Sequence, residues 1–186
     1  MAYTIRIIGG TGREGRGLGY RWAKAGHKII IGSRSEEKAL AAVEELKERL
    51  HGEGDVSGTT NDKAVQACEI AVLTVPYSAH RPTLEGLKDE LQGKIMIDVV
   101  VPLVPPKVTR VQMPEEGSAA QQAQAILGDG VKVVAAFQTI AFEHLLNDED
   151  IECDVLVAGG DKAARELPDR FHSGLLLLIN RGEVYH

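Results

Sequence analysis

Thr4-Ile5-Arg6-Ile7-Ile8-Gly9-Gly10-Thr11-Gly12-Arg13-Glu14-Gly15, near the start of the chain, joins a short apolar strand to a glycine-rich turn. Gly10, Gly12 and Gly15 satisfy the spacing G-x-G-x-x-G. Each has a mechanical reason in a strand-turn-helix unit: the first permits the tight turn, the second lets backbone approach a pyrophosphate, and the third lets helix and strand pack closely. A helix opening there offers free amides and the positive end of its dipole to phosphate groups. Alone the spacing is weak; its place after a strand and at the head of a helix makes it much stronger. A glycine-rich turn that binds nothing is the competing explanation.

Outward from that turn, short apolar runs alternate with longer amphipathic ones, the pattern of βα units around a parallel sheet. The first helix is expected to run to about Ala25, with Leu18, Trp22 and Ala25 on its apolar face and Gly26 as its stop. A strand over 28–31 and a helix over 35–50 follow, the helix burying Leu40, Val43, Leu46 and Leu50. Next come a strand over Val56–Thr60, a brief helix from Asn61, an apolar strand over 70–75, a helix over 78–91 and a strand over 94–98. The loop from Val101 to Pro114 carries Pro102, Pro105, Pro106 and Pro114, so it is expected to be stiff and non-helical. A helix over 118–127, strands over 132–136 and 154–157, and a last helix from Lys162 that Pro168 ends or kinks complete the pattern. The expected fold is α/β, a Rossmann-type doubly wound parallel sheet.

The 186 residues, 44% hydrophobic and 26% charged, suit one domain with a real core and room for a small appendage. A net charge of -6 provides no global basic field for nucleic acid or an anionic membrane, so an anionic ligand would depend on a local cationic pocket. No basic segment followed by a long apolar core precedes the first strand, and no apolar run approaches the roughly 20 residues of a membrane span. The expectation is a cytoplasmic protein without nucleic-acid or membrane partners. Cys68 and Cys153 lie far apart, with no CxxC and no zinc-like spacing; they read as small buried hydrophobes.

The end of the second strand distinguishes the two nicotinamide dinucleotides. An NAD site usually offers an acid there, about 20 residues past the glycines, for the ribose 2′-hydroxyl. Here the chain reads Ile31-Gly32-Ser33-Arg34-Ser35, with no carboxylate until Glu36. Arg34 can fork onto a phosphate, Ser33 can donate a hydroxyl hydrogen bond, and Lys38, one turn on, can add a point charge. That set suits the 2′-phosphate of NADP. Helix capping by Ser33 with Glu36, and a merely solvated Arg34, form the alternative; it explains Ser33 but not the missing acid.

A second ligand would lie beyond the nicotinamide, among Thr74-Val75-Pro76-Tyr77, Val100-Val101-Pro102-Leu103 and Phe137-Gln138-Thr139-Ile140. These strand ends are poor in ionisable groups. No Ser/His/Asp set, paired carboxylates or metal-spaced histidine cluster appears, so no catalytic side chain and no metal ligand is named. Direct hydride transfer between two cofactors needs alignment more than an acid or base. Tyr77 and His80 could touch the second ligand, although surface or half-buried packing is the preferred reading of both. His27 reads as structural, and His144 as part of a surface helix or loop.

The segments GGTGREGRGLGYRWAKAGHKIIIGSRSEEK, ACEIAVLTVPYSAH, VVVPLVPP, GSAAQQAQ, VVAAFQTIAFEHL and CDVLVAGGD resemble the F420-dependent NADP reductases, from about residue 4 to about residue 164. The resemblance implies reversible hydride transfer between C5 of the deazaflavin coenzyme F420 and C4 of the NADP nicotinamide. It assigns Thr11, Ser33, Arg34 and Lys38 to NADP, and places backbone contacts near Val75 and Val101. With Gly10, Gly12 and the two residues that follow, Arg13 and Glu14, these form the expected cofactor-binding set. The family pattern continues with a small C-terminal domain that covers the deazaflavin and supports a homodimer. Here the stretch from Arg165 to His186, RELPDRFHSGLLLLINRGEVYH, departs from it. The expected organisation is therefore an NADP-binding Rossmann domain over 1–150 and, over 151–186, the truncated or atypical remnant of that C-terminal domain. An NADPH-dependent flavin or ferric reductase, and a non-catalytic NADP(H)-binding protein, are the alternative functions.

Overall fold

The structure, a computed structural model, describes residues 2–66, 68–104, 110–151 and 153–168. Its sheet runs in the order β3-β2-β1-β4-β5-β6-β7. The strands are β1 (Thr4–Ile8), β2 (Lys28–Ser33), β3 (Val56–Thr60), β4 (Ile70–Leu73), β5 (Ile95–Asp98), β6 (Lys132–Ala135) and β7 (Ala158–Gly159). The first six pair in parallel, and β7 joins β6 antiparallel. This is the doubly wound order, with its switch point between β1 and β4, where the chain crosses from one half of the sheet to the other.

Alternation along the central strands explains the layering. Ile5 and Ile7 of β1, with Ile70 and Val72 of β4, point into one core. Leu18, Trp22 and Ala23 of α1 (Arg13–Lys24) and Ala42, Val43 and Leu46 of α2 (Glu36–Arg49) belong to the same core. Ile8, Ala71 and Leu73 point to the opposite core, which also holds Leu84 of α4 (Tyr77–Gly86) and Ala123 and Leu127 of α5 (Ala119–Leu127). Successive strand residues face opposite ways, so one nearly all-apolar strand serves both layers.

Helix α1 has a second buried side. Arg21, only 5% exposed, donates to the carbonyls of His144, Leu145 and Glu149 at 2.8, 3.0 and 2.7 Å. It thereby pins α6 (Phe142–Leu145) and the loop after it onto α1. Trp22 meets Phe137 edge to face, with ring centroids 5.6 Å apart. Phe137 is fully buried with φ 69°, a left-handed backbone unusual for a bulky side chain.

Several expectations shift. Ala25 and Leu40 are exposed, whereas Ala39 is fully buried. A Cβ on Gly58 of β3 would stand 2.9 Å from the Ala39 backbone, so α2 lies too close to the sheet for a leucine to point inward there. Strand β4 ends at Leu73, and α4 ends at Gly86 with Pro82 inside it, followed by turns to Gly93. The strand expected over 154–157 is absent; the chain pairs instead at Ala158–Gly159. Helix α6 carries His144 exposed, in keeping with the surface helix or loop expected there. Both cysteines are free, Cys68 buried and Cys153 half-buried. The described part of the C-terminal segment supplies β7 and α7 (Lys162–Arg165); the tail beyond 168 lies outside the described residues.

The facing of α2 predicts opposite outcomes at adjacent positions. Ala39→Leu should cost about 1–3 kcal/mol by overpacking, whereas Leu40→Ala should stay within about 0.5 kcal/mol. Urea denaturation of the two variants checks this, and equal losses would contradict the facing.

Candidate functional site

The carboxyl ends of the parallel strands converge on one edge. Ile7 is in register with Ile31 and Val72, and Asp98 with Leu73 and Ala135. The glycine turn sits at the centre of that edge. Gly10 N–H donates to the Gly32 carbonyl at 2.9 Å, tying the turn to the end of β2. Helix α1 begins immediately, and a Cβ on Gly15 would fall 2.6 Å from Gly10 Cα and from Thr74 Oγ1. Only hydrogen fits between helix and sheet there.

Gly12 is different. Its φ of -72° is open to any residue, and a Cβ on it would meet nothing closer than 3.7 Å. The fold itself therefore does not require glycine at 12, and its backbone is open to the close approach of a ligand. As N-cap, Gly12 gives α1 no side-chain hydrogen bond. The first turn of α1 consequently keeps unpaired amides at its positive end, a ready anion site.

Around this turn, Thr11 is half-buried, and exposed Arg13 lies over the Phe142 ring, its guanidinium carbon 5.0 Å from the centroid. Val75 packs directly on Gly9, and Val101 is half-buried on the loop after β5. Glu14 is half-buried with one oxygen unpartnered, and its carboxyl is pushed up to about 7, first by burial and then by the nearby Glu143 charge.

At the neighbouring strand end, Ser33 is buried, and its Oγ accepts from Ser35 N–H at 3.3 Å. The cap of α2 is Ser35, accepting from Lys38 N–H, so the capping explanation for Ser33 is incorrect. Arg34 and Lys38 are exposed, and among the described residues the Arg34 guanidinium has no hydrogen bond or ion pair. The nearest acid, Glu36, is engaged elsewhere, with Lys63 at 3.5 Å and the Thr59 hydroxyl at 3.3 Å.

Three side chains outside the expected cofactor-binding set help to build the site. Asn61, at the head of α3 (Asn61–Gln66), accepts from Gly9 N–H at 3.2 Å and braces the turn from the β3 side. Thr74 donates to the Ile8 carbonyl at 3.1 Å and fills the space beside Gly15. Asp98, fully buried, holds Val100 N–H at 2.9 Å. Asn61 could have been found from its place directly after a strand; Asp98 showed only as the polar end of an apolar strand. His27 is structural as expected, its Nδ1 accepting from Tyr3 N–H at 3.2 Å. His80 is fully buried, so it neither lies on the surface nor touches a ligand. Tyr77 is half-buried above it, with ring centroids 5.8 Å apart. Among the described residues no cluster of His, Cys, Asp and Glu is placed to hold a metal, and no helix is long and apolar enough to cross a membrane.

An uncapped helix after a glycine turn, at the switch point of a doubly wound sheet, defines a dinucleotide-binding protein of Rossmann type. Residues 4–102 match the family described as NADP oxidoreductase, coenzyme F420-dependent. The F420-dependent NADP reductase of Methanocaldococcus jannaschii is 41% identical over 170 residues, 88% of this chain and 75% of that protein. The F420-dependent NADP reductase of Methanothermobacter thermautotrophicus is 40% identical over 174 residues, 90% of this chain and 75% of that protein. The chain belongs to the coenzyme F420-dependent NADP oxidoreductase family. Among solved structures, one assigned as an F420-dependent NADP reductase from Arthrobacter sp. FB24 superposes with a TM-score of 0.76 at 23% identity, covering 94% of this chain and 83% of that one. A glycerol-3-phosphate dehydrogenase from Coxiella burnetii superposes at 0.72 and 12% identity, covering 98% and 54%. At these identities both show the fold alone.

The raised Glu14 carboxyl predicts a pH dependence of stability. Between its ordinary value near 4.5 and about 7, the folded chain keeps a proton that the unfolded chain releases. Stability should therefore fall as pH rises through that window and level off above it, by on the order of 1–3 kcal/mol. Glu14→Gln should flatten this dependence in urea titrations from pH 4 to 8; an unchanged slope would assign it to other groups.

Proposed function

We infer that the chain is an NADP-dependent oxidoreductase that transfers hydride reversibly between coenzyme F420 and NADP. The observation that carries this is Arg34: exposed, without a partner among the described residues, and beside a strand end whose first following carboxylate, Glu36, is tied to Lys63 and Thr59. A 2′-phosphate needs that arrangement, and the ribose of NAD does not.

The residues divide the work. The first amides of α1, with Gly10 and Gly12, cradle the pyrophosphate, and Thr11 adds its hydroxyl. Arg13 and Glu14 flank that cradle; Glu14, neutral below about pH 7, does not repel the phosphates there. Ser33, Arg34 and Lys38 bind the 2′-phosphate through charge-assisted contacts. Val75 and Val101 present backbone and apolar surface to the nicotinamide. When bound, the two coenzymes supply the redox chemistry, a hydride passing between the deazaflavin and the nicotinamide. The chain contributes alignment and a surface poor in ionisable groups, which suits a transfer that needs no protein acid or base.

We further propose that residues 1–150 form the NADP-binding unit and 151–186 the remnant of the deazaflavin-covering domain. A homodimer in the cytoplasm is the proposed setting. Its support is the family and, for the dimer, the exposed apolar Leu103, Val111 and Met113 beside the site loops. Free cysteines accord with a reducing compartment.

Stopped-flow mixing of reduced F420 with NADP should show hydride transfer. Transfer only to FMN or FAD would identify a flavin reductase, and NADP binding without transfer to any of the three a non-catalytic binder. Arg34→Ala should weaken NADP binding about ten- to a hundredfold, the worth of a charged hydrogen bond of roughly 1.5–3 kcal/mol. NAD binding should barely change; calorimetry with both nucleotides checks this, and equal losses would refute the assignment.

A further inference from the structure

We infer that the buried pair His80–Asp98 is a positioning device that fixes the start of the loop after β5, Val99 to Val101, where the deazaflavin faces the nicotinamide. The inference rests on the proposed function.

His80 and Asp98 are both fully buried, and Gln122 is 6% exposed. The hydrogen-bond directions follow from the outside inward. Gln122 Nε2 donates to Glu116 Oε2 at 3.0 Å, while the other oxygen of Glu116 accepts from Arg81 at 2.8 Å. The amide oxygen of Gln122 therefore faces His80 Nδ1, at 3.2 Å, and that nitrogen must donate. His80 Nε2 lies 2.9 Å from Asp98 Oδ2, so a proton sits between them. One exposed ion pair thus sets the ring orientation of a histidine in the core.

What the pair holds is more informative than the pair itself. Asp98 ends β5, in register with Leu73 of β4 and Ala135 of β6. Its free carboxylate oxygen accepts from Val100 N–H at 2.9 Å, shaping the backbone just before Val101. Its carbonyl accepts from the Gln138 side chain at 2.7 Å, holding the loop that follows Phe137. Tyr77, over the His80 ring, is the first residue of the same helix, α4, which begins directly after the short segment that follows β4. The loops after β5 and β6 thus meet on Asp98, the first through its carboxylate and the second through its main-chain carbonyl. An apolar trio of similar volume would fill this space without the cost of desolvating charge. It would leave Val100 N–H without its side-chain acceptor.

The experiment compares His80→Asn, which keeps a donor near Nδ1 but loses the bond to Asp98, with His80→Gln, which places a neutral donor near Nε2. Both are tested for fold by circular dichroism, for NADP binding by calorimetry and for F420 binding by fluorescence, then in single-turnover hydride transfer. His80→Asn should leave NADP affinity within about threefold, weaken F420 binding, and slow transfer at saturating cofactors about ten- to a hundredfold, as expected of a misplaced acceptor. His80→Gln should restore most of both losses. If a folded His80→Asn binds F420 and transfers hydride like the parent, the inference is overturned. It is equally overturned if NADP affinity falls in step with F420 affinity. Should the uncompensated Asp98 unfold His80→Asn, His80→Leu combined with Asp98→Leu removes the pair, and with it the acceptor for Val100 N–H, without stranding a charge. It should weaken F420 binding selectively, and unchanged binding overturns the inference. Absence of transfer in the unsubstituted chain would overturn the functional reading and this inference together.

Discussion

Helix α1 can aim its first amides past the end of the sheet only because nothing stands between Gly15 and Gly10. A single Cβ there would fall 2.6 Å from backbone and from the Thr74 hydroxyl. That approach sets the depth of α1 against β1 and β4, brings Leu18 and Trp22 into the core, and leaves the head of the helix facing the switch point. The turn is then locked from three sides, by Gly32 of β2, Asn61 of α3 and Thr74 after β4. Core packing and anion binding are here one geometrical fact.

The acidic chain places a cationic notch beside β2 by how local partners are engaged rather than by net charge. Glu36 could have neutralised Arg34, yet Lys63 and Thr59 draw it away. Because the notch is exposed, its attraction for a phosphate is screened by salt beyond about a Debye length. Recognition therefore has to rest on direct hydrogen bonds from a fork-shaped guanidinium, which distance does not dilute in the same way.

Much of this was legible in the residues. The strands at Thr4–Ile8 and Val56–Thr60, the glycine turn and the Ser33-Arg34 strand end follow from alternation, glycine chemistry and a missing acid. What stayed hidden depends on contacts distant in sequence. Periodicity places Leu40 inward, but the approach of α2 to Gly58 selects the smaller Ala39 instead. The edge strand at Ala158–Gly159 is two residues long and owes its place to β6, so no pattern of its own announces it. His80 looked like a surface group because nothing near it in sequence reveals Asp98 and Gln122 as its partners.

Phe137 has a consequence for how this architecture can diversify. Its left-handed backbone is tolerated because Trp22 and the surrounding core hold the ring in place. β-Branched side chains resist that backbone region strongly, so drift to valine or isoleucine is closed at this position. The contour of the loop after β6 is thus inherited from an aromatic residue on the first helix. A lineage that remodels the loop for a different acceptor must first rebuild the interior beneath it.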